Sequence, residues 1–244
     1  MRDGAGPVPL VLLPGMMCDG RLFAPQLPAL GDRAVTLAPI AGADDVDALA
    51  RLVLRDAPPR FALGGLSMGG IVAMAVAAAA PERLAGLCLM DTNPFAEAEA
   101  VAARRGPQME AVRAGRLRAV MRDEMKPNYL AAGPGRPTVL DLCMAMAEAL
   151  GPAVFLRQSR ALMTRPDRQA ALRGVRVPTL VLCGAEDALC PVARHEAMHA
   201  MIEGSRLVVV AGAGHLPTLE RPDAVNAALA GWLAAVDAAA GAVR

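Results

Sequence analysis

The sequence predicts an α/β fold, in which a mainly parallel, six-stranded sheet has helices on both faces. Three observations support this fold class. The chain has 244 residues, which is enough for one domain with a substantial core. Short apolar segments alternate along it with longer segments of helical periodicity. The short segments are apolar throughout, which is typical of strands buried on both faces of a parallel sheet.

Six strands and five helices are predicted in the regular part of the chain. Pro14-Gly15 ends the first strand, and Asp44 and Asp45 favour the start of the second helix because acidic groups complement its positive end. The strands are expected at residues 8–15, 34–40, 60–67, 84–91, 178–184 and 206–212. The helices are expected at residues 21–30, 43–57, 68–80, 191–202 and 221–236.

Residues 92–176 interrupt this alternation. The segment has a helical texture, holds six of the fourteen methionines, and has proline and glycine breaks at residues 133–137. A structureless loop of this length would be implausible in a compact domain. We therefore expect a helical cap at residues 92–176. It is inserted between strands of a core formed by residues 1–91 and 177–244, and it lies over the carboxyl ends of the strands.

Composition and charge exclude several classes of function. The formal net charge is +1, which gives no basis for nucleic-acid binding. The longest apolar run, residues 71–80, is too short to cross a bilayer, and the first ten residues lack the apolar segment of a signal peptide. The five cysteines are odd in number and lack metal or redox spacing, which is typical of reduced thiols. We expect a cytoplasmic protein with no cofactor and no nucleic-acid or membrane partner.

The motif Gly65-Leu66-Ser67-Met68-Gly69 lies between a predicted strand and a predicted helix. In this context, G-x-S-x-G marks a sharp turn that exposes a serine hydroxyl above the edge of a sheet. Glycines two positions on either side of the serine allow the close packing that such a turn requires. The N–H of Met68 begins the helix and is placed where an oxyanion could form. Ser67 is therefore the predicted nucleophile.

A serine nucleophile needs a base, and the chain contains three histidines, at positions 195, 199 and 215. His215 follows the last predicted strand in a glycine-rich loop, which leaves it free to reach the serine. Asp187 follows the preceding strand and is the predicted acid. The order Ser67, Asp187, His215 matches the nucleophile–acid–base order of one hydrolase class. Asp91, which ends the strand at 84–91, is the alternative acid.

Over nearly its whole length the chain resembles the α/β-hydrolase superfamily. The matching segments are LLPGMMCD, GGLSMGG, LCLMDTNP, VPTLVLCGAEDALCP and AGAGHLPTLERPDAV. The resemblance implies a triad of Ser67, Asp187 and His215. It also implies that the Met16 N–H is the second oxyanion donor beside that of Met68. Because only seven residues precede the first predicted strand, the core is expected to lack the two leading strands of larger relatives.

A serine nucleophile on this fold favours acyl transfer to water over the carboxylate-based chemistry of dehalogenases and epoxide hydrolases. We expect a serine hydrolase, above all a carboxylesterase, that cleaves a small-molecule carboxylic ester, thioester or lactone through an acyl-enzyme on Ser67. Three alternatives stay open: a lyase, a hydrolase of carbon–carbon bonds, and a ligand receptor with a vestigial triad.

The segment His195-Glu196-Ala197-Met198-His199 has the H-E-x-x-H spacing by which one helix offers two zinc ligands and a general base. A zinc hydrolase is nonetheless the weakest alternative. A third protein ligand is required, and Glu220, the obvious candidate, lies in the loop of His215. We expect the segment to lie on the outer flank of a surface helix, far from Ser67, and to hold no metal.

The predicted cap is basic, because residues 97–176 contain thirteen arginines and one lysine against eight acidic residues. A basic cap over a methionine-rich pocket would suit an anionic or carrier-linked acyl group. Arginines on the solvent face of cap helices are the simpler explanation. Cys18 lies close in sequence to the predicted oxyanion donor Met16, and Cys190 lies close to the predicted acid Asp187. Each cysteine is expected either to line the pocket or to be a small buried hydrophobe.

Overall fold

Six parallel strands form one sheet in the computed structural model, which describes residues 6–242. They are β1 (Leu10–Leu13), β2 (Val35–Leu37), β3 (Phe61–Leu66), β4 (Leu84–Met90), β5 (Thr179–Gly184) and β6 (Arg206–Val210). Their order in the sheet is β2-β1-β3-β4-β5-β6, and all neighbours are parallel. The predicted fold class is thus confirmed, and each strand lies within the segment predicted for it.

The described residues leave out a small part of the predictions. Residues 1–5 and 243–244 of the predicted core lie outside them. Residues 1–5 are also the first half of the ten residues in which the apolar segment of a signal peptide was sought.

Helices connect the strands and cover both faces of the sheet. They are α1 (Val46–Asp56), α2 (Met68–Ala79), α3 (Glu99–Arg113), α4 (Leu117–Ala119), α5 (Arg136–Met163), α6 (Gln169–Arg173), α7 (Val192–Met201), α8 (Pro217–Glu220) and α9 (Pro222–Ala242). Helix α4 continues as a π-helical stretch over Val120–Met125. Asp45 accepts the N–H of Ala48 at 2.8 Å and caps α1, since a side-chain oxygen can satisfy a free N–H of the first turn.

Alternate residues of each strand point to opposite faces of the sheet, and each face packs on a different set of helices. On one face, Val11 and Leu13 of β1 share an apolar cluster with α1 and α2. On the other face, Leu10 and Leu12 share a cluster with the apolar side of α9, which includes Trp232. Burial of these side chains from both sides explains why the strand segments are continuously apolar.

The predicted helix at residues 21–30 is wrong. Two separate 3-10 turns, Gly20–Phe23 and Leu27–Leu30, occupy this segment. Pro25 and Pro28 explain the difference, because a proline has no N–H to donate and its ring collides with the carbonyl one helical turn earlier. The chain therefore reaches β2 through two short turns.

The cap segment, residues 92–176, contributes α3 to α6 and none of the six strands. Its longest helix, α5, is two helices joined across Gly151, whose φ of 77° lies in the left-handed region that glycine adopts without a Cβ clash. Pro152 follows directly, with the fixed φ that suits the first turn of a helix. The helical texture expected between β4 and β5 is thus present, while the division into core and cap domains stays a prediction.

Two helices, α5 and α9, are long and apolar enough to cross a membrane when judged by length and composition alone. In the structure, α9 packs Val225, Leu229 and Trp232 in the cluster on one face of the sheet. Helix α5 is interrupted at Gly151. Because core helices of folded proteins pass the same test, packing within the domain is a sufficient reason for their apolar residues.

The close packing of α9 on β4 depends on Gly86. A Cβ at this position would overlap Cγ2 of Val236, so Gly86→Ala forces either the strand or α9 to shift. We expect the free energy of unfolding to fall by about 1–3 kcal/mol, measured by urea denaturation followed by circular dichroism. The matched control is Gly241→Ala, also in α9, where a Cβ meets nothing within 4 Å. It should not destabilise the protein, because alanine favours a helix more than glycine does, and an equal loss of stability in both variants would contradict this account of the contact.

Candidate active site

Ser67 lies in the sharp turn from β3 to α2, called here the serine turn (residues 65–69). Its backbone is left-handed, with a φ of 55° and a ψ of −115°. A residue with a side chain adopts this conformation only where its surroundings hold it. A Cβ on Gly65 would overlap the carbonyl of Gly69, and a Cβ on Gly69 would overlap the carbonyl of Leu13 in β1. The two glycines of the motif therefore let the turn close against the sheet.

A continuous hydrogen-bonded chain joins the three residues predicted as nucleophile, base and acid. His215 Nε2 lies 2.8 Å from Ser67 Oγ, and His215 Nδ1 lies 2.8 Å from Asp187 Oδ2. When the Nδ1–H donates to the Asp187 carboxylate, Nε2 is left as an acceptor for the serine proton. The structure thus brings the three side chains together in the order that proton transfer requires, and their catalytic roles stay predictions.

The second oxygen of Asp187 is held by the backbone. The N–H groups of Leu189 and Cys190 donate to Asp187 Oδ1 at 2.8 and 3.0 Å. Burial by itself raises the pKa of Asp187. The charge and hydrogen bond of His215, together with these N–H donors, outweigh burial and bring the pKa below its usual range. Asp187 is therefore ionised at neutral pH, with Oδ2 turned toward the imidazole.

The loop that carries His215 is held by the cap and by Glu220. The His215 N–H donates to the carbonyl of Tyr129 at 2.7 Å, and the Tyr129 ring packs edge-on to the imidazole with 5.7 Å between the ring centroids. The Glu220 carboxylate accepts the N–H of Gly214 at 3.0 Å and the N–H of Ala131 in the cap at 2.7 Å. Glu220, the candidate third zinc ligand, is thus engaged in joining the histidine loop to the cap.

Asp91, the alternative acid, faces the backbone of β5 and not the imidazole. Its Oδ1 accepts the N–H of Gly184 at 2.9 Å, and its side chain is fully buried. Burial and the nearby charge of Asp187 raise the pKa of Asp91 well above its usual range. This geometry favours Asp187 as the partner of His215.

The two predicted oxyanion donors, Met16 and Met68, both line the cavity that contains Ser67. A Cβ on Gly15 would lie 3.5 Å from the Cβ of Ser67, so the oxyanion loop (residues 14–18) passes directly beside the serine. Within residues 6–242, neither N–H has a hydrogen-bond acceptor, which leaves both available to an oxyanion. Their role in an oxyanion hole stays a prediction.

A buried glutamine of the cap holds the oxyanion loop in place. Gln158 of α5 accepts the N–H of Met17 through Oε1 at 2.9 Å and donates through Nε2 to the carbonyl of Ile40 at 3.0 Å. Met17 has a φ of 54°, a conformation that needs such support. The two partners lie 141 and 118 residues from Gln158 in the chain, so no local signal in the sequence marks this glutamine.

The expectation that the H-E-x-x-H segment lies on an outer flank, far from Ser67, is wrong for its first histidine. The segment lies in α7. His195 is fully buried, and its Nε2 accepts the N–H of Thr92 at 3.0 Å. The Thr92 hydroxyl in turn donates to the carbonyl of Ser67 at 2.8 Å. His199 is exposed, and its Nδ1 pairs with Ser205 Oγ. The two histidines are four residues apart in α7, and the edge of the buried face of the helix passes between them.

Among the described residues, Asp187, Cys190 and His215 form the one group of three or more side chains whose donor atoms could share a metal ion. These atoms lie within 4.8 Å of one another. Their chemistry argues against this use, because Asp187 and His215 bond to each other. Burial also raises the pKa of the Cys190 thiol to about 12, whereas a thiol binds a metal as the thiolate. The group therefore suits proton transfer better than metal binding.

Ser67 faces a cavity of about 510 Å³ that is lined by both core and cap residues and has the size of a small-molecule site. Cys190 lines this cavity, whereas Cys18 lines a smaller one of about 60 Å³ beside the oxyanion loop. The apolar walls include Met16, Met68, Ile71, Phe95, Met125 and Leu162. The charged residues of the wall are Glu97, Arg104, Arg105, Glu124, Arg165 and Arg194.

Comparison with known proteins agrees with this fold. Residues 10–228 match the model of a family described as the alpha/beta hydrolase family. A pimeloyl-[acyl-carrier protein] methyl ester esterase from Neisseria meningitidis is 28% identical over 224 residues, which cover 88% of this chain and 84% of the relative.

Solved structures give the same picture. A thermophilic esterase from Thermogutta terrifontis has a TM-score of 0.85 and 31% identity, and the match covers 96% of this chain and 92% of that one. The enol-lactonase from Burkholderia xenovorans LB400 has a TM-score of 0.82 and 24% identity, with 95% and 94% covered. At that identity the second match establishes a shared fold and no more.

The contacts of the two aspartates predict opposite outcomes for Asp187→Asn and Asp91→Asn. At position 187 the backbone N–H donors require an oxygen at Oδ1, so the amide NH2 faces His215 and imposes the wrong tautomer. We expect kcat/KM for p-nitrophenyl acetate to fall by about 10³- to 10⁴-fold. Asp91→Asn keeps an oxygen for Gly184 and should cost less than about threefold. The reverse pattern, with both variants folded by circular dichroism, would show that the acid is misassigned.

Because His195 is buried, we expect the folded protein to lose stability in mild acid. Burial lowers its pKa in the folded protein to about 4, against about 6.5 in the unfolded chain. Between these values the unfolded state binds more protons, so stability is full above about pH 6.5 and declines toward pH 4. We expect a loss of about 2 kcal/mol between pH 7 and pH 5 from this group. Urea denaturation of His195→Gln should show a correspondingly flatter pH dependence, and the exposed control His199→Gln should not. Identical profiles for wild type and His195→Gln would rule out this role.

Proposed function

The chain belongs to the alpha/beta hydrolase family, and we propose that it hydrolyses a small-molecule carboxylic ester through an acyl-enzyme on Ser67. The observation that carries the proposal is the unbroken hydrogen-bonded chain from Ser67 Oγ through His215 to Asp187, with 2.8 Å at each step. A serine hydroxyl becomes an effective nucleophile only when a base of this kind is in place.

The residues supply each step of ester hydrolysis. His215 Nε2 takes the Ser67 proton as Oγ attacks the ester carbonyl, and ionised Asp187 stabilises the imidazolium that forms. The N–H groups of Met16 and Met68 donate to the oxyanion of the tetrahedral intermediate. His215 returns the proton to the departing alcohol and then activates a water, which releases the acid from Ser67.

Relatives and the cavity guide the choice of substrate class. The Neisseria meningitidis relative is named for a methyl ester of a carrier-bound acid, and the Thermogutta terrifontis relative is named an esterase. A cavity of about 510 Å³ suits an acyl group of modest length. We therefore propose that the substrate is an ester of a small alcohol rather than a thioester or a lactone. Its acyl group belongs either to a free small molecule or to one linked to a carrier.

The cytoplasm is the compartment we propose for this reaction. All five cysteines are free and buried in the structure, and burial raises the pKa of Cys190 to about 12. Protonated, buried thiols of this kind are typical of proteins that fold under reducing conditions.

The first test is labelling with a fluorophosphonate followed by intact-mass spectrometry. The wild-type protein should gain one adduct, because the reagent reacts with an activated serine, and Ser67→Ala should gain none. The control is Ser205→Ala, which removes a hydroxyl that pairs with His199 on the surface and should leave the adduct in place. No adduct on wild-type protein, or an adduct that persists in Ser67→Ala, would overturn the proposal.

A second measurement separates hydrolysis from elimination on the same scaffold. Turnover of a methyl ester in H₂¹⁸O should place one ¹⁸O atom in the released acid, since water attacks the acyl-enzyme. An acid without ¹⁸O would contradict hydrolysis through an acyl-enzyme on Ser67.

A further inference from the structure

Two arginines and one glutamate form a buried charged cluster in the wall of the cavity that contains Ser67. Arg105 of α3 donates through Nε to Glu97 Oε2 at 2.5 Å, and Arg165, just after α5, donates through Nη1 to Glu97 Oε1 at 2.8 Å. Their side chains are 11%, 7% and 4% exposed for Arg105, Arg165 and Glu97. Arg165 Nε also donates to the carbonyl of Phe95 at 3.0 Å. The two guanidinium groups are therefore held in fixed positions.

This cluster has one more positive charge than Glu97 neutralises. Arginine stays protonated in folded proteins, so two guanidinium groups share a single carboxylate. Arg194 adds a further cation to the cavity wall and forms no ion pair within residues 6–242. Charge that is removed from water without a counter-charge is costly. A cavity built in this way favours an anionic occupant.

The cluster lies next to the oxyanion loop. Arg105 Nη1 approaches Sδ of Met16 to 3.7 Å, and Met16 lines the cavity together with Ser67 and His215. One ligand can therefore present a carbonyl group to Ser67 and an anionic group to the arginines. Arg165 spends two of its five N–H donors on Glu97 and Phe95, so further donors remain for a ligand.

We propose that Arg105 and Arg165 form a carboxylate-binding subsite, and that the substrate is a half-ester of a dicarboxylic acid. The free carboxylate binds the arginines while the ester group reaches Ser67. Glu97 is the positioning residue that orients both guanidinium groups. This inference rests on the proposed function and names the substrate class of the same site.

A carboxylate fits the cluster better than a phosphate does. The planar guanidinium fork matches a planar carboxylate in two parallel hydrogen bonds, and Glu97 already occupies one side of the pair in this way. The test therefore includes a phosphate for comparison.

The decisive experiment compares kcat/KM for matched charged and neutral esters. The charged series is the monomethyl esters of dicarboxylic acids from succinate to suberate, and the neutral series is the dimethyl esters of the same acids. We expect kcat/KM for the best half-ester to exceed that for its dimethyl ester by about 10- to 100-fold. The reason is that its free carboxylate accepts charge-assisted hydrogen bonds from the arginines, and the dimethyl ester has no such group. A methyl ester of the same length that ends in a phosphate should be a poorer substrate. No preference at any length, or a preference for the phosphate, would overturn the proposal.

Variants of the cluster separate recognition of an anion from a purely structural role. In Arg165→Gln and in Arg105→Gln the ratio of half-ester to dimethyl ester should fall by about tenfold or more. Glu97→Gln keeps a side-chain oxygen that can still accept from a guanidinium group and removes the competing negative charge, so the ratio should stay at or above the wild-type value. The control is Arg113→Gln in α3, which removes a surface pair with Glu110 and should leave the ratio unchanged. A cluster that only braces the cap would leave the ratio unchanged in all four variants, whatever it does to stability.

A binding measurement keeps this inference separate from the proposed function. The Ser67→Ala protein should be stabilised against thermal unfolding by monomethyl adipate more than by dimethyl adipate, and Ser67→Ala/Arg165→Gln should lose the difference. If wild-type protein cleaves no ester but monomethyl adipate still stabilises it more than dimethyl adipate does, the proposed function fails and the subsite stands. If neutral esters are cleaved while monomethyl adipate and dimethyl adipate stabilise the Ser67→Ala protein alike, the subsite is wrong and the proposed function stands.

Discussion

The left-handed backbone at Ser67 is the constraint on which the rest of the site depends. A φ of 55° in a residue with a side chain persists only when the surrounding structure holds the backbone in that conformation. Gly69 packs so closely on the carbonyl of Leu13 that no side chain fits between them. The same contact brings the end of β1, and with it Gly15 and the oxyanion loop, beside the serine. The predicted nucleophile and the predicted oxyanion donors are thus placed by a single close approach of backbone to backbone.

The cap takes part in this arrangement and does more than cover the cavity. Gln158 holds the oxyanion loop through the N–H of Met17, and the carbonyl of Tyr129 accepts the N–H of His215. On the core side, His195 reaches the serine turn through Thr92. Because these hydrogen bonds join separate parts of the chain, a shift of residues 92–176 would disturb both His215 and the oxyanion loop.

Charge is distributed unevenly within the cap. Arg113, Arg118 and Arg122 pair with acidic neighbours in exposed positions, where ion pairs contribute little to stability and mainly keep the helices hydrated. Arg105 and Arg165 turn inward and share one carboxylate. A count of charges over residues 97–176 cannot separate these two groups. Most of the arginines are exposed, as the solvent-face explanation expects, whereas Arg105 and Arg165 line the cavity that contains Ser67.

The sequence by itself determined the strand pattern, the serine turn and the order of nucleophile, acid and base, because these depend on local periodicity and on the placement of glycines. Only the tertiary structure shows that the carboxylate of Asp187, and not that of Asp91, reaches His215, since both aspartates follow strands of the sheet. It also decided that His195 is buried, while the H-E-x-x-H spacing indicated only that the two histidines share a helix. The hydrogen bonds of Gln158 to Met17 and Ile40 are likewise seen only in the tertiary structure. Each of these choices depends on contacts between residues far apart in the chain, and such contacts are set by packing of the whole domain.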